Sequence, residues 1–402
     1  MYIQDKKVIV LGAGPVGMLA ALLAASKGFS VTLIEKRTER ISNSRAIGIT
    51  PPSLEILRKI GLHEKLISSG IPVYNAEARS TSRILGKLDF TSITSDFNFV
   101  LSVPQDRTEY VLETAVLSSE KITFLRGHEA QAIINSADKV TVNGISENKT
   151  CFTFSTDYLI ACDGSKSFIR QLLEIRWQGC SFKHTFLMGD FDDNSGWSDK
   201  AVFYFTSRGS VESFPLTDNK RRYVLRTPEF TKEYTSDYLQ KEIALRCGID
   251  TSNITRHWES AFGVQRFTAS EFAKGRVFLC GDAAHVMPPM GGQNMNIGFA
   301  DAEMAVFCLS LITENDISSV KVKKLYTTTR KKAANTAGFR SEYLMKLVTS
   351  GGAIWSMERN ISLWLLFRTP IVKLFISVFS MMSIPYRNLS LSAIFILRKL
   401  GL

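Results

Sequence analysis

The sequence predicts an α/β fold of two lobes followed by a helical C-terminus, and three observations carry that prediction. A strand at Val8–Leu11 runs into the glycine-rich turn GAGPVG (Gly12 to Gly17), a helix rich in Ala and Leu, and a second strand at Ser30–Glu35. Strand pattern without intervening helices then fills Thr185 to Arg226, where a single doubly wound sheet would keep alternating strand with helix. Further on, GRVFLCGDAAHVMPPMGGQNMN (Gly275 to Asn296) returns to strand, turn and helix. The pattern is that of a Rossmann-like nucleotide-binding lobe with an inserted, mostly antiparallel β-sheet lobe.

Taken in order, residues 1–75 supply the βαβ unit, with the helix of Met18–Lys27 stopped by Gly28 and a second helix over Pro51–Ile60 opened by prolines and ended by Gly61. Residues 76–106, β-rich and broken by Ser, Thr and Gly, are the first segment of the sheet lobe. Residues 107–184 return to the nucleotide lobe through a helix at Thr108–Ser118. Strands follow at Ile122–His128, Gln131–Asn135, Val140–Gly144, Thr150–Ser155 and Tyr158–Ala161. Residues 185–272 form the antiparallel sheet, with strands at Thr185–Phe191, Ala201–Thr206, Val211–Pro215 and Arg222–Arg226. Residues 273–310 complete the nucleotide lobe, and residues 311–402 read as helix.

The spacing of Gly12, Gly14 and Gly17 is GxGxxG between a strand and a helix. The first glycine permits a tight turn, the second lets backbone approach a pyrophosphate, and the third lets the helix pack close to the sheet; the helix N-terminus then faces the phosphates. Glu35 ends the second strand, where its carboxylate can accept bonds from an adenosine ribose and disfavours a ribose 2′-phosphate. A second stretch, ACDGSKSFIR, ends a strand in Asp163-Gly164 and continues to Arg170, whose charge can compensate a buried carboxylate. In the third, Gly281-Asp282 ends a strand, and Pro288, Pro289, Gly291 and Gly292 form a rigid and then permissive loop before a helix near Asn296. A glycine turn or an Asp-Gly pair alone is a common turn feature; the three together read as one dinucleotide grip.

Composition bounds the alternatives. A chain of 402 residues with 45% hydrophobic content buries a substantial core, and its net charge of +11 suits anionic partners without choosing among them. The basic residues are dispersed and match no nucleic-acid-binding module, so no nucleic-acid partner is expected. Six cysteines without a CxxC pair predict buried free thiols in a reducing compartment, and five histidines without HxH or HExxH spacing predict no metal site. The N-terminus runs directly into the first strand, from which a cytoplasmic chain without a signal peptide is expected.

On these residues the sequence resembles the class A single-component FAD-dependent aromatic hydroxylases, the flavoprotein monooxygenases typified by p-hydroxybenzoate hydroxylase. Within them it resembles the phenol and 3-(3-hydroxyphenyl)propionate hydroxylase-type branches, over about residues 6 to 310. The resemblance implies FAD held by Gly12, Gly14, Pro15, Val16, Gly17, Glu35 and Lys36, with Arg45 near the pyrophosphate, Gln105 on the flavin side, and Arg266 supporting the same region. Asp163, Gly164 and Arg170 would follow from the second motif. Gly281, Asp282, Pro289, Gly292, Gln293, Asn294, Met295 and Asn296 would follow from the third. It also implies NADH or NADPH as reductant, O2 as co-substrate, and transfer of oxygen from a flavin C4a-hydroperoxide to an aromatic, phenolic or polyketide-like compound. The chain has no second GxGxxG for the pyridine nucleotide. Asn294 stands where the family often has glycine, a position where asparagine tolerates positive φ, and Glu303, Phe307 and Cys308 replace the commoner Asn, Trp and Lys.

In such a mechanism the flavin carries the reaction and the protein orients and excludes water. His285 and Pro289, in the flavin loop, are the candidate catalytic positions. Phe203, Phe205, Phe214 and Pro215 are the candidate substrate wall, while Tyr204, Tyr223, His257 and Trp258 are further polar or aromatic groups that nothing in the sequence selects. An epoxidase or oxidoreductase of a lipophilic alkene or quinone precursor is one alternative; a non-catalytic FAD-containing or membrane-associated scaffold is another. A flavin halogenase would require a WxWxIP segment, which the chain lacks. From Ile354 onward the chain is apolar with scattered Arg and Lys and no acidic residue after Glu358, and Arg368, Pro370 and Lys373 interrupt its longest apolar run. Two readings stand: helices lying peripherally on the inner membrane face, or helices covering the flavin lobe or a homodimer contact.

Overall fold

The computed structural model describes residues 6–40, 46–227, 237–314, 318–349 and 352–389. Arg45, expected near the pyrophosphate, and the segment from residue 390 to the end lie outside the described residues.

Along the chain, β1 (Lys7–Leu11), α1 (Pro15–Ser26) and β2 (Ser30–Glu35) form the opening βαβ unit. They are followed by α2 (Pro51–Arg58), β3 (Asn75–Arg79), β4 (Ile84–Asp89), α3 (Gln105–Leu117) and β5 (Ile122–Arg126). Three strands, β6 (His128–Asn135), β7 (Val140–Ser146) and β8 (Cys151–Thr156), make a small antiparallel sheet before β9 (Tyr158–Ala161). Then come β10 (Trp177–Asp192), β11 (Ala201–Thr206), β12 (Gly209–Leu216), β13 (Lys220–Thr227), α4 (Tyr238–Cys247) and β14 (Arg256–Ala269). The chain closes with β15 (Val277–Leu279), α5 (Gln293–Glu314), α6 (Ser319–Thr349), α7 (Ala353–Leu366) and α8 (Val372–Phe379).

Val8 to Leu11 are four consecutive buried apolar residues, the composition of a strand covered on both faces. Accordingly β1 lies in the middle of a sheet ordered β15-β9-β1-β2-β5, all parallel, with Ala273–Lys274 added antiparallel at one edge. Because the central strands are parallel, the turns that follow β1, β9 and β15 leave the sheet along the same edge. Topology alone therefore gathers GAGPVG, ACDGSKS and the Gly281-Asp282 turn side by side.

The second sheet runs β14-β10-β13-β12-β11-β3-β4, with His285–Val286 beyond β14, and every pairing is antiparallel except β11 with β3. Residues 75–89 thus join this sheet, while Val100–Ser102, also within the expected 76–106 segment, pairs in a separate small sheet. The sequence reading placed its third segment's end at 184, whereas β10 starts at Trp177 and continues through an irregularity between Phe182 and Thr185. It assigned neither α4 nor β14. In β14 charged and aromatic residues share the strand (RHWESAFGVQRFTA), which blurs alternation, yet pairing along most of β10 fixes it as strand.

One face of this sheet packs under α4, around Leu187, Phe191, Tyr223, Leu239 and Ile243. The C-terminal helices take the opposite face: Leu363 of α7, Phe367 just beyond it and Ile376 of α8 pack onto β3, β4 and β11. Arg359 donates to the Thr206 carbonyl and Asn360 to that of Phe205. The tail therefore covers the sheet lobe as well as touching the nucleotide lobe, where Leu389 N–H donates to Glu303. Gln293–Thr313 of α5 is long and apolar enough to cross a bilayer, but 83% of that stretch is buried and it packs against α1, so it is a core helix. The expectation of buried thiols holds for Cys247, Cys280 and Cys308; Cys151 and Cys180 are exposed, lying on strand positions that face solvent.

Candidate cofactor cradle and apolar chamber

Each glycine of the first turn meets a different steric demand. Gly12 adopts φ +93°, and a Cβ there would come within 2.3 Å of the Cys162 carbonyl oxygen at the end of β9. At Gly17 a Cβ would lie 1.8 Å from the Gly12 carbonyl oxygen, so only glycine lets α1 start this close to the turn. At Gly14 nothing lies within 4 Å: its missing side chain leaves open space rather than relieving a clash within the fold. Gly14 also caps α1, which has no side-chain cap and begins with Pro15. An uncapped helix start beside an open glycine is an anion cradle, and it fits the diphosphate of a dinucleotide.

Glu35 shapes the same turn. Its Oε2 accepts the Ala13 N–H (2.8 Å), and its Oε1 accepts the N–H (3.0 Å) and Nε–H (2.9 Å) of Arg37. Burial pushes this carboxyl up, but those bonds outweigh it and hold the group below its ordinary range. Lys36 is exposed. Gln105 Nε2 donates to Glu109 at 2.8 Å, so its amide is turned along α3.

At the second turn Asp163 Oδ2 accepts the Ile169 N–H at 3.1 Å, while its Oδ1 is buried without a partner among the described residues. Burial raises this carboxyl, against the opposing bonds from Ser167 and backbone. An acceptor left open in this way fits a hydroxyl or amide of a bound group. Gly164, at φ +83°, has open space where a Cβ would be. Arg170 donates to the Ala283 carbonyl (2.9 Å) and the Ser165 carbonyl (2.8 Å), with Trp177 3.8 Å beneath it, and its charge lies within reach of Asp163. It ties the second turn to the third.

The third turn rests on a buried network. Asp301 of α5 accepts the Gly281 N–H (3.0 Å), His285 Nε2–H (2.6 Å) and Arg330 Nε–H (2.7 Å). Arg330 further donates to the carbonyls of Tyr386 and Ile297. Burial raises the Asp301 carboxyl, yet its ionic and hydrogen-bond partners hold it low. His285 is 1% exposed, with Nδ1 3.2 Å from Asn294 Oδ1. Both ring nitrogens thus face partners inside the fold. Asn294 donates to Asp282 at 2.7 Å and sits in the first turn of α5; the positive φ values belong to Gly291 (+78°) and Gly292 (+61°). Asn296 fastens the helix start to the 48–50 segment, donating to Gly48 and accepting from Thr50. Gln293 is fully buried with neither amide atom partnered, Pro289 is half-buried, and Met295 packs on the main core. A Cβ on Gly281 would meet Val16 at 3.0 Å, so the first and third turns touch directly.

Beside Met290 of this loop lies an apolar chamber lined by Phe203, Phe205, Leu344, Leu363, Phe367 and Phe379, among others. Phe214 packs edge-on against Phe203. Pro215 does not join this wall: alternation sends it to the opposite face from Phe214, and only its carbonyl is engaged, by Ser102. Tyr223 is committed to the α4-covered cluster, and its hydroxyl has no hydrogen-bond partner among the described residues. His257 pairs with Asp192, Trp258 lies under Arg222, and Arg266 stacks on Phe339 of α6 and pairs with Glu342.

Sequence reasoning missed Asp301, Arg330 and Glu212, the one charged residue on the chamber wall. A signal existed for two of them: Asp301 is an acid within the apolar run IGFADAEMAVF, and Glu212 shares a strand face with Phe214. Among the described residues no group of three His, Cys, Asp or Glu could hold a metal ion.

A family profile described as "FAD binding domain" matches residues 5–338. The chain is 29% identical over 303 residues to an uncharacterized aromatic compound monooxygenase, YhjG, of Bacillus subtilis (strain 168), covering 74% of this chain and 60% of that one. It is 30% identical over 305 residues to a rifampicin monooxygenase of Streptomyces venezuelae, covering 73% and 62%. It therefore spans about 60% of the length of these curated relatives. Among solved structures, p-nitrophenol 4-monooxygenase PnpA from Pseudomonas putida DLL-E4 superposes with a TM-score of 0.85 at 19% identity, covering 93% of this chain and 99% of that one, a likeness of fold. The matched span takes in all three turns and the inserted sheet, and the chain belongs to this FAD-binding family, on the fold of the class A aromatic hydroxylases.

Proposed function

We propose that the chain is an FAD-dependent monooxygenase that uses NADH or NADPH and O2 to hydroxylate an aromatic, phenolic or polyketide-like compound. The observation that carries this reading is the meeting of three dinucleotide-binding turns along one sheet edge, with Met290 of the loop after the third turn lining an apolar chamber. The names of the relatives, an aromatic compound monooxygenase and a rifampicin monooxygenase, support it. When bound, FAD supplies the redox chemistry, taking electrons from the nicotinamide and activating O2.

The protein's own part is placement. Gly14 and the start of α1 hold the diphosphate, the open Oδ1 of Asp163 accepts from the bound cofactor, and the Asp301 network fixes the third turn. Phe203, Phe205 and the α7 and α8 side chains keep water from the chamber. The test follows NAD(P)H consumption by FAD-loaded protein over a panel of phenols and quinone precursors, with mass detection of a product gaining one oxygen. Absence of any oxygenated product across the panel, with FAD bound and reduced, would overturn the reading.

That NAD(P)H is an intracellular reductant supports a cytoplasmic chain. Peripheral contact with the inner membrane face is also part of the proposal. Ile354, Met357, Ile361, Trp364 and Leu365 of α7 form an exposed stripe at helical spacing, continued by Ile371 and Leu374 beside exposed Arg368 and Lys373. Because α7 and α8 also wall the chamber, the test uses Ile361→Glu with Leu365→Glu rather than truncation. Loss of flotation with anionic liposomes in that variant is expected; equal flotation of variant and parent would sink it, and concentration-dependent dimers lost in the variant would assign the stripe to a second copy.

A further inference from the structure

We infer that Glu212 selects the substrate: the chamber takes an aromatic compound whose O–H or N–H donor meets this carboxyl, and rejects compounds that carry a carboxylate. This rests on the hydroxylase reading above and adds to it the charge class of the substrate.

Glu212 lies in the middle of β12, with Phe203 and Val224 as its register neighbours on β11 and β13. Alternation aims it, with Ser210 and Phe214, at the face covered by α6, α7, α8 and the Met290 loop, away from α4. It lines the chamber among phenylalanines, leucines and a methionine, and no Lys, Arg or His lines the same space. No hydrogen bond or ion pair joins its carboxyl to any other described residue. Along the facing strand, Arg222 and Arg226 each stand two residues from Val224: Arg222 is held by both oxygens of Asp190, and Arg226 lines a separate cleft with Tyr238 and Glu242, while Arg359 of α7 lies over Phe205 and donates to the Thr206 carbonyl.

A carboxyl held in apolar surroundings without a partner is unfavourable, and natural cores normally supply one. Burial is the sole cause acting on Glu212 and pushes it up to about 7. The group therefore switches between neutral and ionised forms near neutral pH. In both forms it can accept a hydrogen bond from a phenol; to a carboxylate the neutral form offers a single donated proton, and the ionised form offers no donor and repels it. The missing partner is accordingly one that a donor-bearing ring would bring. The two donor sources share this chemistry and separate by charge: an ammonium pairs with the ionised form alone, whereas a phenol is served by either.

The experiment measures dissociation constants by the change in flavin absorbance, for full-length FAD-loaded protein with ring-matched ligands: 4-ethylphenol, 4-ethylanisole, tyramine O-methyl ether and 3-(4-hydroxyphenyl)propionate. A donor-bearing ligand is expected to bind about tenfold more tightly than 4-ethylanisole, the strength of one hydrogen bond to an ionisable group, and the propionate at least as weakly as 4-ethylanisole. Glu212→Leu should remove that preference, and Glu212→Gln should keep it for the phenol and lose it for the amine. FAD retention and far-ultraviolet dichroism report whether each variant folds, and the wild-type series stands without them. Equal binding of 4-ethylphenol and 4-ethylanisole by the wild type, or tight binding of the propionate, overturns the inference. Mass detection of oxygenated product separates the two readings: Glu212-dependent binding without oxygenation overturns the hydroxylase proposal alone, and oxygenation of donor-free or carboxylate-bearing rings overturns the role of Glu212 alone.

Discussion

Two buried carboxyls, about equally removed from water, are treated in opposite ways by this fold. Asp301, beneath the cofactor turns, has a backbone N–H, an imidazole and a guanidinium against its two oxygens and is held ionised. Glu212, on the chamber wall, has no partner among the described residues and is pushed up to about 7 by burial. Burial disfavours the charge in both, so the difference comes from the partners. A carboxyl whose bonds are all internal serves architecture, while one left open faces whatever enters.

The largest effect is expected at Asp301. Replacement by Ala leaves Arg330 buried without its counter-ion and frees the Gly281 N–H, a change of the kind that destabilises by about 3–5 kcal/mol. Chemical denaturation should show a loss of that size together with loss of FAD retention, since the third turn is no longer held. The sign with pH follows from the depressed carboxyl: its contribution is present above the unfolded-state range and is lost as pH falls through the folded value. A variant that kept its stability within 1 kcal/mol of the parent, on the scale of ordinary surface changes, would show that the network is not what fixes the turn.

Glu212 should behave in the opposite sense. Its folded value, about 7, lies above its ordinary 4.5, so the native state keeps a proton that the unfolded chain releases. Stability from this group is therefore complete below about pH 4.5, falls as pH rises to about 7, and is flat above; the whole change is about 3 kcal/mol. Glu212→Gln should abolish that slope and melt higher than the parent at pH 8. Superimposable pH–stability profiles for parent and variant would mean that Glu212 finds a partner in solution that the fold does not provide.

Much of the cofactor site was legible in the sequence because its demands are backbone demands. Gly12, Gly14 and Gly17 are glycine for reasons of φ and close approach, and those leave a fixed spacing. The parallel sheet was likewise readable from uniformly apolar strands such as Val8–Leu11. The chamber was less legible because its wall comes from sequence-distant elements: Phe203 and Phe205 on β11 meet Phe367 and Phe379 only after α7 and α8 fold back. Strand alternation, applied strictly, would have separated Pro215 from Phe214 in advance. Nothing local marks Arg170 as a tie between turns, since its acceptors are carbonyls of Ser165 and of the distant Ala283.

The smallest stability effect is expected where the cofactor effect is large. Gly14 has φ −74° and ψ 178°, ordinary extended backbone for any residue, and a Cβ there meets no atom of the protein. Gly14→Ala should therefore fold with a stability within about 1 kcal/mol of the parent. The added methyl instead occupies the space left open for the diphosphate, so FAD affinity, measured by ultrafiltration of the reconstituted protein, should fall by about a hundredfold or more, as for loss of a close backbone contact of 3 kcal/mol. Gly17→Ala provides the contrast: its Cβ would stand 1.8 Å from the Gly12 carbonyl oxygen, so the turn itself must move and stability and FAD fall together. Retention of FAD by a folded Gly14→Ala protein would mean that the diphosphate does not pass over this glycine, and the cradle would have to be redrawn around Gly164 and the open oxygen of Asp163.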